Sequence, residues 1–131
     1  LLDKQLNTTT SYRLGKNDRL KSRKQIQQLF AEGKALQQDS IRLIYMLDEG
    51  MGGIRAGVSV STRFFKRSVD RNRIKRLMRE AYRLQRHHLE WTQQANDLHL
   101  FWIYQGKEMP DYAQVYEAIG KSIMRLKKKV T

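Results

Sequence analysis

Along residues 65–86 the apolar positions Ile74, Leu77, Met78, Ala81 and Tyr82 recur at i, i+3, i+4, i+7 and i+8. Each helical residue advances about 100° around the axis, so this spacing predicts a helix with one buried face. Centred on Ile74, the apolar stripe stays within about 80° on either side. Asn72, Arg76, Arg79 and Arg83 then fall opposite it, flanked by Lys75 and Arg86. Arg73 and Glu80 share a third side, away from that row.

The rest of the chain divides by the same reasoning. Ser22 followed by Gln25 makes a capping box, in which serine oxygen and glutamine side chain satisfy free amide donors. Ile26, Leu29 and Phe30 supply an apolar face, and Gly33 is placed to close the helix in a left-handed turn, so 22–32 is predicted helical. Residues 41–47 (Ile-Arg-Leu-Ile-Tyr-Met-Leu) read as a strand buried on at least one face. In 54–60, Ile54, Ala56, Val58 and Val60 alternate onto one side of a second strand. The glycine-rich segment 48–53 between them reads as a flexible turn, which makes the two strands a hairpin.

Residues 90–97 are a polar connector, and 98–104 are apolar on both faces, as a central strand requires. Asp111 is placed to cap a last helix through Tyr112, Val115, Tyr116, Ile119, Ile123, Leu126 and Val130. Its closing Lys127, Lys128 and Lys129 suit the negative pole of the helix dipole. Residues 1–12 are polar and aperiodic and read as a mobile arm, leaving 13–131 as one domain. Helix, strand, strand, helix, strand, helix predicts an α+β sandwich with helices on a small sheet.

Charge sharpens this outline. The 131 residues carry a net charge of +13. Ten Lys/Arg against Asp70 and Glu80 lie between positions 63 and 86, so most of the excess sits in the long helix and its approach. A second basic patch runs from 13 to 24, with Asp18 its lone acid. Surface helices usually mix both signs, whereas here arginine repeats along one face. Its planar fork of donors suits phosphate oxygens. A polyanionic partner is therefore expected.

Chemistry of the protein's own is not expected. His87 and His88 are adjacent and so point apart on a helix, and His99 lies in a strand, so none has metal-ligand spacing. The acids are scattered, and there is no cysteine. Gly50-x-Gly52 is followed by Arg55 where a phosphate-binding loop needs its third glycine. No catalytic or metal-ligating residue is assigned. No apolar run approaches the ~20 residues of a membrane span. No charged-then-apolar leader is visible, although the chain opens on Leu1, and the cytoplasm is the expected location.

At positions 71–80 the residues Arg-Asn-Arg-Ile-Lys-Arg-Leu-Met-Arg-Glu match an R-N-R-x-K-R-L-x-R-E signature. In this the chain resembles the protein component of bacterial ribonuclease P. The likeness extends from Arg19, Leu20 and Phe30 at the entry, through Gly57–Ser61, to about Lys128. It implies the two-layer fold of ribosomal protein S5 domain 2, with a four-stranded sheet and a left-handed strand–helix–strand crossover. It also implies a catalytic RNA partner, bound one to one, that uses Mg2+ to remove the 5′ leader of precursor transfer RNA.

Carried over residue by residue, the resemblance assigns Arg71, Asn72, Arg73, Lys75, Arg76 and Arg79 to contact with the catalytic RNA, extended by Arg63, Lys66, Arg67 and Arg83. It assigns the leader to a cleft between the first helix and the sheet, with Ile26, Phe30, Ile44 or its neighbour Tyr45, and Ser59. Exposed aromatics there would stack on single-stranded bases. Three positions depart from the pattern: Ile26 replaces an aromatic, Thr62 a lysine, and Phe64-Phe65 make apolar a loop that is usually polar. Two other readings fit parts of the pattern. A ribosomal or RNA-chaperone protein without a catalytic partner would share the charge. A leucine-zipper basic region would need heptad leucines beyond Leu84 and Leu89, where the pattern stops.

Overall fold

The computed structural model describes residues 18–92 and 95–130. The arm expected at 1–12, and the Arg13 and Lys16 portion of the second basic patch, lie outside the described residues. The elements are α1 (Arg23–Glu32), β1 (Lys34–Gln38), β2 (Ile41–Glu49), β3 (Ile54–Val60), α2 (Ser68–Gln85), a 3-10 turn (Arg86–Leu89), β4 (Asn96–Tyr104) and α3 (Tyr112–Val130).

Among the described residues, four strands form one sheet in the order β1-β2-β4-β3. β1 and β2 pair antiparallel, as do β2 and β4, while β3 and β4 run parallel across α2. The expected hairpin of β2 with β3 does not form. β4 lies between them, because a strand apolar on both faces loses most surface to water when it has neighbours on both sides. β2 instead turns back on β1, which holds a single buried residue, Leu36, and so shows no alternation to find in the sequence.

Alternation sorts the sheet into two faces. Leu43, Tyr45, Leu98, Leu100, Trp102 and Tyr104 face α2 and α3, whose Ile74, Met78, Tyr82, Ile119, Ile123 and Leu126 complete the main core. The opposite residues Ile44 and Phe101 are covered by Leu20 and by Leu29 of α1, with Ile26, Met46 and Ile103 at the margin. None of the described helices is long and apolar enough to cross a membrane.

Of the predicted capping contacts, the serine half at Ser22 and the cap at Asp111 are present. Ser22 Oγ accepts from the Gln25 amide at 3.4 Å. Asp111 and Gln114 satisfy one another's amides, at 2.8 and 3.1 Å. Gly33 corrects one expectation: its φ of −73° is extended, not left-handed. A Cβ there would stand 2.4 Å from the Leu29 carbonyl oxygen, so glycine serves the close approach of α1 to β1. Nor is the 48–53 segment a loose turn. Asp97 Oδ1 accepts from the amides of Met51, Gly52 and Gly53 at 3.1, 3.1 and 2.8 Å, tying that crossing to the start of β4.

Candidate nucleic-acid interface

Burial of Ile74, Met78, Ala81 and Tyr82 fixes the rotation of α2, and that rotation sends the opposite positions into solvent. Asn72, Arg73, Arg76 and Arg79 are exposed, with Lys75 half-buried beside them. Arg73, Lys75, Arg76 and Arg79 have no acidic partner among the described residues. Lys66 and Arg63 are likewise exposed and lack an ion pair among the described residues, at the N-terminal approach to the helix.

Three expected members of the row behave differently. Arg83 is forked onto Glu80, with Nε and Nη2 donating at 2.6 and 2.9 Å, so the wheel's separation of the two is corrected by an i,i+3 pair. Arg67 reaches Asp70 at 3.6 Å. Arg71 turns inward along the loop, donating to the carbonyls of Phe65 and Lys66, each at 2.8 Å, and to Ser68 Oγ at 3.1 Å. It builds the approach to the helix.

One member was not legible in the α2 pattern. Arg19 belongs in sequence to the second basic patch, yet the fold sets it against α2. The Leu20 amide donates to the Ala56 carbonyl at 3.0 Å, and Asp18 bridges Arg86 at 3.1 Å. The segment 18–20 is thereby laid between β3 and the end of α2. Partial burial, and then the Arg19 charge, hold Arg79 below the usual arginine range. Two guanidinium groups without an acidic partner among the described residues thus share one surface.

On the other side of the sheet, Phe30 projects from α1, 49% exposed, with its ring edge-on to Phe101 at 5.2 Å. Ile26 and Ile44 line the same side, and Ser59 lies on β3 beside Ile103. Gly57 makes room, since a Cβ there would stand 2.7 Å from the Phe101 ring. Tyr45 is not part of this cleft: strand alternation sends it through the sheet into the main core. His87 and His88 also differ from expectation, since the 3-10 turn brings their ring centroids to 4.0 Å instead of pointing them apart.

A cationic helix face on one side of the sheet and an exposed phenylalanine on the helix that covers the other are features of an α+β protein of the nucleic-acid-binding class. More particularly, the chain belongs to the ribonuclease P family, whose model matches residues 14–127. Proteins from two strains of Porphyromonas gingivalis, each named ribonuclease P protein component, are similar to it. One is 34% identical over 125 residues, covering 92% of this chain and 91% of its own length. The other is 36% identical over 120 residues, covering 88% of each. Among solved structures, the Staphylococcus aureus RNase P protein superposes with a TM-score of 0.66 at 21% identity, over 86% of this chain and 97% of that one. The Thermotoga maritima RNase P protein does so with a TM-score of 0.61 at 26% identity, over the same shares, 86% and 97%.

Proposed function

We propose that the chain is the protein subunit of a bacterial ribonuclease P, binding a catalytic RNA through α2 and the 5′ leader of precursor transfer RNA in the α1 cleft. The observation that carries the reading is the set of exposed cations without acidic partners among the described residues, Arg73, Arg76 and Arg79 with Arg19 beside them. Such a face is costly to assemble unless a polyanion neutralises it, and guanidinium groups meet phosphate oxygens in a fork. Phe30, held edge-on by the buried Phe101, offers ring surface for unpaired bases, which are read by stacking with little demand on sequence.

In this reading bond cleavage belongs to the RNA, and the protein holds substrate and ribozyme together, one copy per RNA, in the bacterial cytoplasm. Mg2+ is the metal expected at the cleavage centre. Among the described residues no three histidine or acidic side chains converge as ligands, and in this reading RNA phosphates hold the ion.

The test is reconstitution of this chain with a bacterial ribonuclease P RNA, scarce magnesium and a precursor labelled in its leader. Faster leader release on adding the protein supports the reading. Cleavage by the protein alone, or an unchanged rate with the RNA, overturns it.

A further inference from the structure

The loop 61–67 carries two adjacent phenylalanines that meet opposite fates. Phe65 is buried, 6.1 Å from the Tyr104 ring. Phe64 faces outward and is 37% exposed. Two cations from separate segments converge on the Phe64 ring: Arg63 Cζ at 5.3 Å from the centroid, and Lys107 Nζ, from the loop between β4 and α3, at 5.9 Å. Neither cation has an acidic partner among the described residues. An isolated exposed apolar side chain needs no explanation. Here, however, an aromatic ring is framed by two cations that the fold gathers from separate loops.

We propose that Phe64, Arg63 and Lys107 form a stacking site for one unpaired nucleobase of the RNA docked on α2. The site adds a ring to the basic approach to α2, of which Arg63 is already part, and it rests on the RNA-binding reading above. A nucleobase presents a larger π surface to Phe64 than an ammonium does, and stacking on it outweighs a cation–π contact at an exposed site. The base displaces the more distant Lys107, whose ammonium then has the phosphate of the same nucleotide within reach. Arg63 stays beside the ring as the second phosphate contact. Every base has a π face, so the site selects for an unpaired base and not for its identity.

The test measures affinity for a bacterial ribonuclease P RNA, across a salt series, for the wild type, Phe64→Ala, Phe64→Leu and Phe64→Tyr. Circular dichroism melts confirm that each variant folds. Phe64→Ala and Phe64→Leu are expected to weaken binding about five- to one-hundred-fold with an unchanged salt slope, and Phe64→Tyr to restore it. Full affinity in Phe64→Leu, or no loss in any variant, overturns the stacking site. An Arg76→Ala/Arg79→Ala protein measured alongside separates the two levels. If it loses affinity while the Phe64 variants do not, only the stacking site fails; if the wild type itself does not bind, the RNA reading fails with it.

Discussion

Arg71 Nη1 lies 2.8 Å from the carbonyl oxygen of Phe65, and so a residue of the first turn of α2 closes the loop that precedes it. The bonds from Arg71 to Lys66 and Ser68 complete the clasp. Lysine carries the same charge but cannot spread planar donors over three acceptors. Arg71→Lys is therefore expected to cost about 1–3 kcal/mol in urea unfolding, the range for hydrogen bonds to a charged group. A variant as stable as the wild type, but with a flatter salt dependence of RNA affinity, would make Arg71 a phosphate ligand instead.

Arg76 and Arg79 are exposed and make no ion pair among the described residues, which separates binding from folding at these positions. Changing both to alanine should reduce the log–log slope of RNA affinity against salt by about one to two units. Unfolding free energy should move by no more than about 0.5 kcal/mol, as for ordinary surface positions. An unaltered slope would remove the pair from the interface.

Phe30 touches Phe101 edge-on at 5.2 Å, and nearly half of it remains open to solvent. Phe30→Ala should cost about 1 kcal/mol of stability, the worth of such an aromatic pair. Its effect on precursor transfer RNA should be greater, a loss of about five-fold or more, with mature transfer RNA bound as before. A protein that fails to fold after this change would show that the ring serves the core beneath α1.

His99 is buried on β4, and its Nδ1 has no hydrogen-bond partner among the described residues. Burial pushes the imidazole below its ordinary 6.5; the carboxylates of Asp48 and Asp97 pull it back in part, and Arg55 adds to the depression. As pH falls below about 6.5, the unfolded chain takes up a proton that the folded one refuses. Stability is thus full above that pH and declines as pH drops toward the folded-state value. His99→Gln should flatten this decline in urea titrations carried below about pH 6.5. His87, also depressed by desolvation and then by His88, is common to both proteins and cancels in the comparison. Coincident pH profiles would show that His99 exchanges its proton freely in the fold.

Local chemistry was legible because its partners are near in sequence. Ser22 meets Gln25, Asp111 meets Gln114, and the two faces of α2 follow from residues three and four apart. The same locality explains why the β3 span 54–60, with its strict alternation, is legible to the residue, whereas β1, with only Leu36 buried, is not. The match at 71–80 carried the family, but not the inward turn of Arg71.

By itself, the amino-acid order determined which residues share a face of their own helix or strand, and hence that α2 would hide Ile74 and expose Arg76. Only the tertiary structure decided which faces meet. It set β4 between β2 and β3, sent Tyr45 and Ile44 to opposite sides of the sheet, brought Arg19 beside Arg79, and gave Asp97 the amides of a loop more than forty residues upstream. The reason is that periodicity is a property of one element's backbone geometry, while pairing between distant elements is chosen by the burial that the whole chain achieves, against the entropy of closing its loops.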